Sequence, residues 1–588
     1  MAYPLDPRKQ WQYTQVKNLL GGINLDAKPD MIQDDQAIQL DNIIAKAGGI
    51  GTDTGYAAFG LPVLGIPQTT YEFLRQDLTS QLILITTKTV YKWNITFEEW
   101  QLIRGTAGTT TTASFGSGAT VINVASAAGF STGDSVGITL DNGQVFQSII
   151  TVAGTNFTLA TPVPSGRSIL NNGAIVRAVV LAGTLDHEVT PATIAGSDWM
   201  VFTNAIDIVK YYDGTECKDI PNLPSAGNTT CESLVVYNTA LFLLNTIEGG
   251  TQHGQRVRRS DQLNPTNWTT GTAGYDDLLD TSDKILTGDL LGPYLIIYRD
   301  RSIARGSFIG SSGMNYFFET MITGEGVLSG GALIPTGDSH IIVGHANVYE
   351  YLADYTLNPI GDQIFYLTFG YSGNLNPQYR QRLFALYIEE LDEAWIFYPS
   401  TSSPDGTCDT LLRYNVGDKF WYTRHFANTF VGFGFYTKTN ANIWSTLVGT
   451  WLDQNYTWNS RISFANTDIT HLCSSQGNQV FAYDYNTQLD NQTAITYTVE
   501  TKDFALPDSE FRLDMIEMFI RGTNVLLQYS TDSGYSWNTL SNINQNIQEK
   551  VRVYKQVVTH RIRFKWSGNS NDFALEWFGF SYKIESLY

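Results

Sequence analysis

Three adjacent carboxylate pairs, Glu98-Glu99, Asp276-Asp277 and Glu389-Glu390, are the first candidates for acid–base chemistry. Glycoside cleavage needs two carboxyl groups facing each other across a cleft. Neighbours on a strand point to opposite faces, so these pairs read as solvated charges. The histidines are scattered: His340 and His345 lie five positions apart, and His187-Glu188 runs into Val189-Thr190-Pro191 and forms no HExxH. No metal and no cofactor is expected. There is no phosphate-binding GxxxxGK[ST] and no GxSxG nucleophile elbow. The glycine-rich stretch Gly48–Gly55 is followed by no helical pattern and reads as a flexible turn. With nucleophile, metal and phosphate motifs all missing, the expectation is a protein without enzymatic activity. Cys217, Cys231, Cys408 and Cys473 form no CxxC and read as reduced thiols, a Cys217–Cys231 disulfide being the alternative.

One dense basic cluster stands out: Arg256, Arg258 and Arg259, with Arg299, Arg301 and Arg305 further on. On a strand, Arg256 and Arg258 share a face. They could meet DNA or another anion, or bridge to acidic groups of this or an adjacent subunit; the second is the expectation. The segment Ser530-Thr531-Asp532-Ser533-Gly534-Tyr535-Ser536-Trp537 resembles the Asp-box turn of sialidases and related propellers. Its physics is structural. Asp532 accepts backbone N–H bonds beside Ser530, Gly534 takes a left-handed angle, and Trp537 plugs the hairpin.

The elements that must position these residues read as strands. Of 588 residues, 43% are hydrophobic and 13% aromatic, enough for packed cores, whereas only 16% are charged against roughly 25% in ordinary globular domains. The net charge of −20 opposes DNA binding through phosphates. The N-terminus has no apolar signal-peptide core and no run is long and apolar enough to span a membrane, so a soluble product of the producing cell's cytoplasm is expected. Short apolar runs such as Leu82–Ile85, Ala240–Leu244, Leu295–Tyr298, His340–Val343 and Glu393–Tyr398 recur, separated by polar turns. Units too small to bury their own faces do so by radial stacking, as in a β-propeller. The fold class is therefore all-β: a β-propeller body with an inserted small β-barrel domain and a C-terminal β-sandwich. The divisions are an N-terminal extended docking arm (1–60), first propeller strands (61–104), the insert (105–180, rich in Gly, Ala, Ser and Thr, with an Asp141-Asn142-Gly143 hairpin signal), the propeller (181–490) and the sandwich (491–588). A helix is expected around Asp34–Asn42.

At the basic cluster the chain resembles a family. Arg256-Val257-Arg258-Arg259-Ser260 followed by Asn264-Pro265-Thr266-Asn267-Trp268, an acidic Tyr275-Asp276-Asp277, then Ile285-Leu286-Thr287-Gly288 and Tyr294–Tyr298 with Arg301-Ser302-Ile303, is similar to tail-nozzle and packaged-DNA-stabilising proteins of tailed bacteriophages. Thr203-Asn204-Ala205, Tyr212-Asp213-Gly214 and the opening Gly21-Gly22-Ile23-Asn24 fit the same pattern, which spans most of residues 15–430. The insert and the missing Trp after Arg258 depart from it. The resemblance implies a virion tail protein that forms a homo-oligomeric ring, a hexamer, below a head–tail adaptor. Such a ring meets other tail proteins and the host surface, and double-stranded DNA passes through it transiently. The alternative is a receptor- or glycan-binding tail protein, with or without glycan-degrading activity.

Overall fold

The computed structural model describes residues 11–46, 48–311, 314–370, 373–438, 467–484, 487–506, 509–569 and 572–587. Residues 1–8, on which the reading of the N-terminus rests, lie outside them. The regular structure of the described chain is nearly all strand, with a single four-residue α-helix at Phe365–Thr368.

Seven antiparallel four-stranded units succeed one another. Blade 1 covers residues 67–102, blade 2 190–219, blade 3 229–277, blade 4 285–323, blade 5 333–359 and blade 6 384–430. Blade 7 takes three strands from 432–484 and its fourth, Gly55–Ala58, from near the N-terminus. The first strand of blade 7 lies parallel to that of blade 1, with Gly434 opposite Thr70, and this contact closes the ring. A Cβ at Gly432 or Gly434 would collide with the carbonyl oxygens of Gln68 and Thr70, so only glycine permits the approach.

Alternation explains why blade strands read as continuous apolar runs. Met200 and Phe202 pack with Ile83 and Ile85 of blade 1, while Val201 between them packs with Leu241 and Leu243 of blade 3. Both faces of such a strand are thus covered by neighbouring blades, which is why it reads as a continuous apolar run. Equivalent clusters lie between blades 3 and 4 (Val257, Leu295), 6 and 7 (Phe397, Phe481), and 7 and 1 (Val480, Tyr91).

The insert leaves blade 1 at Arg104 and returns at Ala178, where the two residues pair. Its six strands form one sheet whose edge strands meet through a Thr111–Val124 bridge around a separate core containing Ile138, Phe157 and Ile175.

The C-terminal sandwich departs from the sequence reading in three ways. Its backbone is a hairpin of two 22-residue strands, Ser509–Ser530 and Asn538–Thr559, where the sequence suggested several short ones. Gly522 (φ +146°) bends the first strand, so that its first part pairs with Ala574–Leu587 and its last part with Arg561–Gly568. Two layers result, packed around Leu513, Phe564, Trp566 and Phe578.

Second, part of the N-terminal docking arm is built into the sandwich as strands. Gln12–Val16 pairs with the last strand and Ala37–Asp41 with Tyr497–Thr501. The helix expected at Asp34–Asn42 is therefore a strand. So short a segment gains little from helix propensity, whereas pairing buries Ala37 and Leu40. Third, the glycine-rich turn is the buried strand Gly49–Thr52: a side chain at Gly49 would strike the backbone of Leu575 and Glu576. Glycine serves close approach there rather than flexibility.

Candidate functional site

The three arginines sit on the third strand of blade 3, Thr251–Arg259, beside the outermost strand Gly274–Asp277. The Arg256 guanidinium donates to both carboxylate oxygens of Asp277, at 2.8 and 2.9 Å, lies 3.4 Å from Glu248, and covers the Tyr275 ring at 3.9 Å. Arg258 meets the same Glu248 at 3.3 Å. Arg259 turns to the opposite face, where it pairs with Asp276 and stands 5.1 Å from the Tyr316 ring of blade 4. Hydrogen bonding from Arg256 holds the Asp277 carboxyl below its usual range. Three cations therefore meet three carboxylates, leaving the rim no surplus charge for phosphate. The acidic pair Asp276-Asp277 splits between faces because strand neighbours do.

At Ser530–Trp537 the Ser530 hydroxyl donates to Asp532 Oδ1 (2.7 Å) and accepts the Gly534 N–H (2.8 Å); Asp532 Oδ1 accepts the Ser536 N–H (2.9 Å). Gly534 has φ +93°. Bonds from Ser536 and Ser530 hold Asp532 down to about 2, and Lys565 stands 4.7 Å from the half-buried Trp537 ring. The segment closes the long hairpin, and the Glu500 carboxylate beside Gly534 is held by Arg563 at 2.7 Å. All four cysteines are free and buried, with Cys217 and Cys231 in different inter-blade cores and both pushed up to about 12 by burial. Among the described residues, no group of three or more His, Cys, Asp or Glu is placed to hold a metal.

Two constellations escaped the sequence. The first is the propeller's axial channel, where a cavity of about 350 Å³ brings together Asp186, His187, Glu188, Glu232, Lys284 and Arg380. His187 Nδ1 lies 2.9 Å from Glu232, whose hydrogen bond raises the imidazole pKa. Glu188 is reached by water yet walled by protein. This enclosure, reinforced by Asp289 and Glu232, pushes its carboxyl up to about 7. Arg382 holds Asp186 at 2.7 Å. A further cavity of about 320 Å³ shares His187, Glu188 and Gln381 and continues toward blades 1 and 7. Only the His187-Glu188 dipeptide was visible in sequence; its partners come from other blades.

The second is a sealed ionic junction between the two bodies. Arg413 of blade 6 meets Asp53 at 2.5 Å and Glu393 at 2.7 Å; Arg424 meets Asp53 at 3.1 Å and Asp490 at 2.6 Å. Tyr483 donates to Asp53 (3.1 Å), and Trp395 (2.8 Å) and Tyr422 donate to Glu393. Burial alone would raise the Asp53 carboxyl, but the two guanidiniums hold it below its usual range. At Asp490 burial prevails and the carboxyl is raised.

No protein-family model and no curated protein matches the chain. Solved structures with partial likeness include AztD from Citrobacter koseri (7% identity, 84% of this chain and 98% of that one, TM-score 0.27). The exo-beta-1,3-galactanase of Phanerochaete chrysosporium aligns at 8% identity (83% and 98%, TM-score 0.23). Chaetomium thermophilum Raptor aligns at 6% (74% of this chain, TM-score 0.26), and this chain spans only 29% of it. Scores this low add nothing to the strand order, from which the propeller is assigned.

Proposed function

We propose that the chain is a non-enzymatic structural subunit of a bacteriophage tail. Copies of it, six in number, form a nozzle or tube ring that closes the DNA channel and lets the genome pass. The reading rests on the ordered run of tail-nozzle-like motifs. In this fold those motifs are construction positions: Arg256–Arg259 is a blade strand, Trp268 is a buried plug between blades 2 and 3, and Ile285–Gly288 starts the innermost strand of blade 4. The neutralised rim and the charge of −20 suit a wall that DNA slides past without adhering. The protein is made in the host cytoplasm, joins the virion tail, and contacts an adaptor and neighbouring tail proteins. Imaging of purified protein and of antibody-labelled particles tests this. Rings on the tail are expected; a chain that stays monomeric at every concentration and is missing from particles overturns it.

The axial cavity favours a second reading, glycan binding or cleavage. A carboxyl near 7 beside other carboxylates is the electrostatic arrangement of an acid–base pair. Saccharide turnover by the purified protein, abolished by Glu188→Gln, would establish it in place of the first; no turnover is expected.

A further inference from the structure

The outer layer of the sandwich has the strand order Asn538–Thr559, Ser509–Ser530, Ala574–Leu587, Gln12–Val16, and every adjacent pair is antiparallel. One end is the open edge of Asn538–Thr559; at the other, Gln12–Val16 lies beside Gly49–Thr52, which also pairs with the last strand and carries Ile43–Lys46 beyond it. Asn538–Thr559 pairs only with its hairpin partner, and Gln12–Val16 only with the last strand, among the described residues. An edge of 22 residues spans on the order of 70 Å at about 3.3 Å per residue. Blades 1, 2, 3 and 5 end in strands of only two to four residues, and short edge strands are the usual protection against pairing. The long edge has no such protection. It contains no Pro and no Gly, residues 538–548 carry no charge, and Ile547, Tyr554 and Val558 are exposed on it.

We propose that this edge pairs with the Gln12–Val16 edge of a second copy of this chain, continuing one antiparallel sheet across the subunit boundary. The inference rests on the ring reading above and names the contact that would build the ring. Three observations select this occupant. Strand direction is the first. Across the layer the four strands alternate, so the first strand of one copy and the hairpin edge of the next are antiparallel without rotation of either. Register is the second. Arg552, Glu517, Gly579 and Gln15 occupy one cross-strand row, and extending that row sets Arg552 of the second copy opposite Gln15. Gln12–Val16 then faces residues 551–555 of the second copy, flanked by the half-exposed rings of Trp11 (48%), which stands 5.5 Å from Arg512 of its own copy, and Tyr13 (47%). Charge is the third. Residues 549–555 hold Lys550, Arg552 and Lys555 against Glu549; Glu517 of the same copy takes Lys550 and Arg552, so the edge keeps one cation in surplus and faces the uncharged Gln12–Val16. The contact joins two different edges and is therefore heterologous, the type that closes into a ring when the rotation between successive copies closes and runs on as a filament when it does not.

Charge reversal at one edge provides the test. Gln12→Lys/Gln15→Lys and Gln12→Glu/Gln15→Glu disturb the strand equally but meet the basic edge with opposite signs. Mass photometry of the full chain should show the Lys variant at least tenfold depleted in rings and the Glu variant within about threefold of wild type. Hydrogen exchange should find amides of 551–555 facing away from the hairpin exposed in the monomer and protected in the ring. Equal assembly of both variants, or protection already complete in the monomer, overturns the contact while leaving the ring reading intact. Failure of the wild-type chain to form rings, in solution and on particles, overturns both.

Discussion

Two clusters of arginine and carboxylate use the same chemistry in opposite settings. On the rim of blade 3, Arg256, Arg258 and Arg259 meet Glu248, Asp276 and Asp277, with carboxylate side chains as much as 40% exposed. At the junction, Arg413 and Arg424 meet Asp53, Glu393 and Asp490, and no side chain is more than 4% exposed. Water can replace a lost partner at the rim but not at the junction, where removing one partner strands a buried charge. The rim cluster can therefore change with modest consequence, whereas the junction fixes how the N-terminal crossing at Asp53, blade 6 and Asp490 fit together.

The largest effect is expected at the junction. Arg413→Ala leaves Asp53 and Glu393 short of a cation and should cost about 3–5 kcal/mol, read as a lower midpoint in urea unfolding. A loss below ~1 kcal/mol would show that water enters the junction. The same site has an acid signature. Asp53 is held below its usual range, so its contribution is in full force above the ordinary Asp pKa of about 4 and fades as pH falls through its lower folded value. Asp490 is raised and acts with opposite sign, gaining as it protonates. Wild type should thus lose stability in strong acid more steeply than Asp53→Asn, measured as the pH dependence of the melting temperature; parallel curves would remove Asp53 as the cause.

The rim should respond less. Replacing Arg256, Arg258 and Arg259 by Ala should cost about 1–3 kcal/mol, between an exposed pair and a buried one, because Arg256 and Arg258 are nearly covered. Duplex DNA binding should be negligible before and after, weaker than the ~10⁻⁴ M of poor non-specific binders. Assembled triple-variant rings that keep their stability but leak DNA would assign the cluster to DNA instead.

The two clusters also differ in how much the sequence discloses. Arg256-Val257-Arg258-Arg259 is contiguous because one strand presents it, and its acidic partner Asp276-Asp277 is contiguous for the same reason. The junction draws on positions 53, 393, 413, 424 and 490, which meet only through blade closure and the N-terminal crossing. Glu188, Glu232 and Asp289 converge on the axis in the same way. Strand pairs within a blade were legible because alternation and turn residues are local. The capture of Gly55–Ala58 by blade 7 was not, since pairing partners more than 400 residues apart leave no periodic trace. Ala37–Asp41 was misread as helix because a five-residue strand shows its period only against a partner.

The smallest effect is expected where the insert leaves blade 1. Arg104 and Ala178 are paired neighbours, so a short Gly-Ser linker spans the gap, and exchanging a long loop for a short one changes closure entropy little. The insert's core is its own, and its polar contacts to blade 1 include Gln147 to the Trp100 carbonyl at 3.1 Å, the Tyr91 hydroxyl to Gln147 at 3.5 Å and the Val145 N–H to Glu99 at 3.3 Å. The boundary at 180 is nevertheless too far along the chain, because Val179 already belongs to the core between blades 1 and 2. Replacing 106–177 should leave the main melting transition cooperative and within a few degrees of wild type. Replacing 105–180 removes Val179 and should cost a further ~1.5–3 kcal/mol, the value of one buried aliphatic side chain. Identical melting of the two deletions would mean that Val179 contributes nothing to the blade interface. Loss of the transition on removing 106–177 would mean that blade 1 depends on the module it carries.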